Sequence, residues 1–584
     1  MAAQEAAFEL LSLPGLKRDG TDADCDNYRD ALWTRWQRGR PRKIGGYIAI
    51  NTLVAGPVRG LHMDSRSGYS KVHLFSDRAI EQLTFDQTGA GSGLIDRTPA
   101  VFAASTLYSW QADSIFDSGG GGTPQLVCSA SPDLLALDSD VAGPLYSGNI
   151  TASAALVVIA DGAGAITVSG GLVALQPFLF IYGSNGLIRN SNANNIVGAG
   201  GWAGTNANTA NVSGTKVVKG LALRGGGTSP AGLFWALDSL IRVTFVGGTA
   251  LWKYDTVSSK TTILAKNSVI EYDGIYYWIG VDRFFFYNGV VQELPNDKNL
   301  NWFFDNLNQA QRNKIWVTAV PRFGEIWWFF PYGGSTECSH AVIYNVREKT
   351  WYDTRHGRSA GVPAGSFTRP VWAGVEGGQS TKRLTYTAGV GTFSIGDAIT
   401  GVTSGATGTI AAVGVGVLNL NPSSGTFLNG ETVQTSGAAV TGVLTTAPVT
   451  QQLDTVWQHE KGTDKIVGTA ALAIESYFQT RIFSLLAGGP VSKAPAGVNA
   501  NVRLTRLEPD FVLSGALSFA VDGRPFAQSP ETSSEEYAIG AGTEHVDLRE
   551  QHRYMALRFS SNEVGGNFEM GRNLMLVEPG DERA

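Results

Sequence analysis

Val269-Ile-Glu-Tyr-Asp-Gly-Ile-Tyr-Tyr-Trp-Ile-Gly-Val-Asp-Arg-Phe-Phe-Phe-Tyr-Asn-Gly-Val-Val-Gln-Glu-Leu294 decides the fold. Its aromatic and β-branched runs, Val269–Tyr272, Ile275–Ile279, Phe284–Tyr287 and Val290–Leu294, are separated by Asp273-Gly274, Val281-Asp282-Arg283 and Asn288-Gly289. Asp-Gly and Asn-Gly favour two-residue hairpins, whose central residues need φ > 0. Four short strands in one meander make a propeller blade. The pattern returns in Glu325-Ile-Trp-Trp-Phe-Phe330, Ala341-Val-Ile-Tyr-Asn345 and Thr350-Trp-Tyr-Asp353. The expected fold is therefore all-β: a β-propeller core with an N-terminal arm and a small inserted Gly/Thr-rich β-module.

Working outward, four regions are expected. Residues 1–50 form a docking arm with a hairpin, 51–384 the first part of the propeller, 385–450 the insert, and 451–584 the part that closes the propeller onto its first blade. The insert is marked by an internal repeat: Phe393-Ser-Ile-Gly-Asp-Ala-Ile399 returns as Phe427-Leu-Asn-Gly-Glu-Thr-Val433. Neither copy can bury a face alone, so the two are expected to pack together. One helix is predicted over 297–313, where Leu300, Phe303, Phe304, Leu307 and Ala310 share a face.

Composition narrows the function. Glycine supplies 72 of 584 residues and charged residues only 16%, against usual shares of ~7% and ~25%. Many tight turns and extensive buried surface, including surface between subunits, fit that balance. The net charge of −6 gives no global field for nucleic acid. Cys25, Cys128 and Cys338 are far apart and odd in number, so neither disulfides nor a zinc site is indicated and a reducing compartment is the simple reading. No apolar run approaches the ~18 residues of a membrane span, and the N-terminus lacks the basic start of a cleaved signal.

Enzyme signatures do not survive their context. No nucleophile elbow, zinc-protease helix or phosphate loop is present, and the seven histidines lack metal-ligand spacing. Gly198-Ala-Gly-Gly-Trp-Ala203 matches a dinucleotide fingerprint only formally, since its neighbours are Asn, Thr and Ser. No catalytic residue, metal ligand or cofactor is expected. A propeller glycosidase, with two carboxylates among Asp273, Asp282, Glu325 and Asp353 across its mouth, is the enzyme alternative, though turn geometry alone demands aspartates.

The candidate interface is the basic run of the arm, Trp33, Arg35, Trp36, Arg38, Arg40, Arg42 and Lys43. Asp19, Asp22, Asp24, Asp26 and Asp30 precede it. Acid followed by base suits docking on a complementary protein surface, with Arg and Trp as anchors; direct contact with DNA and a plain solvated hairpin are the alternatives.

Several segments resemble one family, the tail hub or nozzle proteins of short-tailed bacteriophages: Gly15–Thr21 with Arg38–Tyr47, Val269–Gly274 with Gly280–Arg283, Asn299–Asp305 with Pro321–Trp328, and Arg558–Asn562 with Gly565–Phe568 and Gly571-Arg572. The insert is similar to small Gly/Thr-rich modules of phage structural proteins. The resemblance implies a nonenzymatic virion protein, made in the host cytoplasm. Six copies would form a ring around the channel that retains packaged double-stranded DNA and lets it out without sequence recognition. Its partners would be a neck or adaptor protein and tail fibres or a tail needle. Gating would fall to loops, with the Gly-rich stretches near Gly119 and Gly200 as candidates. A tail fibre or receptor-binding appendage and a cellular interaction platform are the rival readings.

Overall fold

Seven radial antiparallel sheets follow one another around an axis in the computed structural model, which describes residues 6–582 apart from 120, 162–163, 225–229, 249, 377–379, 395, 415, 422–423 and 486–499. Six are meanders whose inner strands are Val58–Arg66, Ser109–Asp117, Gly171–Leu175, Val217–Ala222, Ile270–Tyr272 and Trp316–Val320, for blades 1 to 6. The seventh is assembled from Ala360–Val362, Val371–Gly374, Val449–His459 and Tyr47–Ala55. Its inner strand lies beside those of blades 6 and 1, which closes the ring. The protein is a β-propeller.

Blade 5 shows why local sequence suffices for such a sheet. Asp273 and Gly274 take φ of 52° and 80°, as a tight hairpin demands. Tyr276, Trp278 and Ile279 are then buried between neighbouring blades. Each seam has its own apolar core: Phe75, Trp110 and Leu126 between blades 1 and 2, Phe180, Phe234 and Trp252 between 3 and 4, Trp235 and Trp278 between 4 and 5. Burying one such side chain stabilises by about 1.5–3 kcal/mol, so the ring is held by many comparable seams.

Closure differs from the sequence expectation. The last strand of the ring is Tyr47–Ala55, from the N-terminal side, paired antiparallel with Val449–His459. Beyond Val449–His459 only a short hairpin adds to this sheet: Lys465–Val467 runs parallel to Tyr47–Ala55 at Tyr47 and Ile48 and pairs with Ala470–Leu472. The later strands leave the ring and pair with the arm and with one another. Ala6–Glu9 pairs with Leu574–Glu582, Asp30–Leu32 with Ser476–Gln479, and Arg42 lies opposite Glu569. The two chain ends thus build one β-domain around Tyr28, Trp36, Phe478, Phe519, Phe559 and Phe568.

The insert is a closed six-stranded barrel. Ser380–Ala388 pairs with Val417–Leu420 on one side and with Thr441–Leu444 on the other. The two repeats meet where Ala398–Gly401 pairs with Thr432–Thr435, and Phe393, Phe427, Ile399 and Val433 fill one core. Gly396 and Gly430 have φ of 92° and 82°, and the following acids, Asp397 and Glu431, accept hydrogen bonds from the amides of Ser394 and Leu428.

The predicted helix is shorter than its periodicity. It runs over Leu300–Asn306, after which Leu307 turns extended and bridges to Tyr332, and a 3-10 turn covers Gln309–Lys314. Pairing with blade 6 outweighs continuation of the helix.

Candidate functional site

The arm hairpin sits against blade 6, where sequence chemistry and tertiary structure meet most densely. Its strands Thr34–Gln37 and Arg40–Lys43 are joined by Arg38 and Gly39 at φ of 53° and 73°. The amides of Arg38 and Gly39 donate to the two carboxylate oxygens of Glu348, at 2.9 and 3.2 Å.

Arg35 lies at the centre and is 1% exposed. Its guanidinium meets Glu325 Oε1 at 2.9 Å and Glu460 Oε2 at 3.0 Å, while Phe323 covers its face at 3.7 Å. Tyr352 and Trp327 also donate to Glu325, at 2.5 and 2.9 Å. Burial pushes the Glu325 carboxyl up, against the opposing pull of Arg35. One cation shared by two buried carboxylates makes Arg35 indispensable to both.

Trp33 has φ of 52°, a strained conformation for a bulky residue that persists only where its surroundings hold it. Its amide donates to Thr354 Oγ1 at 3.1 Å and its ring lies 4.5 Å from that of His356. Trp36 packs on Tyr352 at 5.1 Å and on Tyr28 at 5.4 Å, so it joins the propeller to the two-ended domain. Lys43 donates to the Gly566 carbonyl at 2.8 Å, and burial pulls its ammonium down to about 8. Arg40 pairs with Glu9 at 2.7 Å and Arg42 with Glu569 at 3.4 Å.

All seven candidate interface residues are therefore engaged within their own chain. Trp33, Arg35, Trp36 and Lys43 are buried and Arg40 and Arg42 half-buried, leaving Arg38 exposed. The run docks, but its acidic counterpart is Glu9, Glu325, Glu348, Glu460 and Glu569 of the same protein. Neither a neighbouring subunit nor DNA reaches the buried four. Four of the preceding aspartates act alike: Asp19 accepts from the amides of Asn301 and Trp302 at the helix start, Asp22 pairs with Arg29 and Arg524, Asp26 with Arg481 and Asp30 with Arg18.

A polar cluster continues the seam into blade 7. Arg358 donates to Glu376 at 2.7 Å and to His459 Nε2 at 3.2 Å, and Tyr47 and Lys465 also donate to Glu376 at 3.0 and 2.9 Å. Burial opposes the Glu376 charge, yet Arg358 and its other partners hold the carboxyl down at about 2. Burial, with Arg358 adding to it, pushes His356 and His459 well below the usual histidine range, so both are neutral.

The carboxylates weighed for hydrolysis do not converge. Asp273 and Asp282 occupy turns at opposite ends of Ile275–Ile279. Glu325 is taken up by Arg35, and Asp353 by Arg18 at 3.0 Å. Gly198–Ala203 forms turns between two strands of blade 3, with Trp202 buried and donating to the Ile196 carbonyl at 2.9 Å. Among the described residues no group of three or more His, Cys, Asp or Glu is placed to hold a metal.

The two Gly-rich loops named as gate candidates form one cluster. Ser118 donates its amide to the Asn194 carbonyl at 2.7 Å, and Asp117 Oδ1 accepts from Ile196 and Gly119 at 3.0 and 3.2 Å. Gly120 lies outside the described residues. Sequence separation concealed this contact, since the loops belong to different blades.

No family description and no curated protein matches this chain. Solved structures that overlap it include an exo-β-1,3-galactanase from Phanerochaete chrysosporium, at 9% identity and TM-score 0.29, covering 91% of this chain and 100% of that one. Another is BBS1N in complex with ARL6DN, at 9% identity and TM-score 0.31, covering 65% and 97% respectively. Overlap this loose carries no inference about what this chain does.

Proposed function

We propose that this protein is a nonenzymatic structural subunit of a short-tailed phage tail, a hub or nozzle component. Six copies form a ring around the DNA exit channel, retain packaged DNA and permit its ejection. Its partners are further copies of itself, a neck or adaptor protein, and fibres or a needle below. The duplex passes without sequence recognition.

The observation that supports this reading beyond sequence resemblance is the set of large apolar side chains that the two-ended domain leaves in water. Leu11, Leu13, Val512 and Leu574 are 52%, 56%, 70% and 39% exposed. Large apolar side chains left in water on one small domain favour a permanent neighbour. The carboxylates of Glu325 and Asp353 serve cohesion, which suits a scaffold. Ring contacts on this reading use surfaces other than the arm, and a head-to-tail contact closes when the subunit rotation divides the circle.

Cryo-electron microscopy of particles from the source of this protein tests the proposal. Six copies around an axial channel, with Leu11, Leu13, Val512 and Leu574 covered, are expected. Three copies on an appendage, or absence from the particle, would overturn it.

A further inference from the structure

The propeller axis carries a cavity. It measures about 480 Å³ and opens between the inner strands of blades 2 to 5, lined by Gln111, Asp113, Gln176, Lys219, Arg224 and Glu271 among others. That volume lies in the range of about 300–1,000 Å³ typical of small-molecule sites.

Most of its polar groups have protein partners. Asp113 accepts from the amides of Ser114 and Ala174 at 2.8 and 2.9 Å. Glu271 accepts from the Gly274 amide at 2.8 Å and meets Arg224 at 3.4 Å. Lys219 differs: its ammonium makes no hydrogen bond or ion pair with any described residue. Burial and then Lys266 pull it down to about 8, with Asp113 opposing.

The neighbouring cations already have carboxylates. Lys216 and Lys266 share the buried Asp133 at 3.4 and 2.8 Å, Asp140 also acts on Lys216, and Arg224 meets Glu271. Lys219 is left to pair with a negative charge brought by a ligand. Asp113 and Glu271 would repel a phosphate dianion but accept hydrogen bonds from hydroxyl groups. Leu172, Val173, Leu221 and Ile270 supply apolar wall for the carbon skeleton of a ring.

We propose that the axial cavity binds a hydroxylated monocarboxylate, an acidic saccharide unit of the hexuronate class, with Lys219 pairing its carboxylate and Asp113, Gln176 and Glu271 bonding its hydroxyls. The site is independent of ring assembly, so it stands or falls separately from the tail reading.

The test uses the full chain and three probes, glucuronate, glucose and inorganic phosphate, followed by ligand-observed NMR. Glucuronate is expected to bind, glucose and phosphate at least about tenfold more weakly, and Lys219→Met to lose glucuronate binding by about tenfold or more, as for loss of a charge-assisted hydrogen bond. Equal binding of glucose, phosphate binding as tight as glucuronate, or an unchanged Lys219→Met variant would each overturn the proposal. Should that variant not fold, limited acetylation of the wild-type chain supplies the answer. Glucuronate is expected to protect Lys219, located by peptide mass; equal modification with and without it would refute the site.

Discussion

The inserted barrel and the two-ended domain are both small antiparallel bodies attached to one propeller, yet they are specified in opposite ways. The barrel takes its six strands from consecutive sequence, Ser380 to Leu444, and its two repeats fill one core. The two-ended domain takes its strands from residues 6–43 and from the last part of the chain, and is welded to blade 6 through Arg35 and Trp36. A fault in the barrel should therefore stay local, while a fault in the weld should reach both chain ends and the ring.

The largest expected effect breaks the weld. Arg35→Met leaves Glu325 and Glu460 without their shared cation and should cost about 3–5 kcal/mol, read as a fall in the denaturant midpoint. Adding Glu325→Gln should restore part of it. Next, Leu418→Ala opens a cavity in the barrel core at about 2–5 kcal/mol; hydrogen exchange should rise within 380–444 and remain unchanged in blades 2 to 4. A cost spread over the whole molecule would erase the contrast.

A third test concerns the closing strand. Glu81 accepts from the Ala55 amide at 2.9 Å, and burial pushes its carboxyl up to about 8, with that amide opposing. The unfolded chain releases the same proton near pH ~4.3. Between those values the folded protein holds a proton that the unfolded one lacks, so this group's contribution to stability falls as pH rises. Thermal melts of Glu81→Gln should match wild type near pH 4 and gain on it steadily toward pH 8.

Two smaller effects sharpen the picture of the arm. Glu348→Ala removes the acceptor for the Arg38 and Gly39 amides at the partly exposed hairpin tip and should cost about 1 kcal/mol. Arg40→Ala removes a half-exposed pair with Glu9 and should cost about 0.2–1 kcal/mol, at the edge of detection in chemical denaturation.

What sequence reveals follows the same divide. Blades 5 and 6 are legible because their hairpins are local and Asp273-Gly274 names its own turn. The pairing of repeats in the insert is legible because the copies lie 34 residues apart. Ring closure is not, since Tyr47–Ala55 pairs with a strand about 400 residues away, and alternation along a strand says which face is buried but not which partner covers it. The arm announced a docking element through its Arg and Trp residues, yet nothing in that run reveals that its acidic counterpart lies in the same chain. The axial cavity was invisible for the same reason: Asp113, Lys219 and Glu271 stand on three different blades.

The weld between the chain ends and blade 6 is the centre of this account, and hydrogen exchange of the isolated monomer read by mass spectrometry tests it most directly. Slow exchange of residues 28–43 together with 476–479 and 554–570, accelerated in all three by Arg35→Met, is the predicted result. Fast exchange of 28–43 in the wild-type monomer would contradict it, because a free arm does not dock on its own chain.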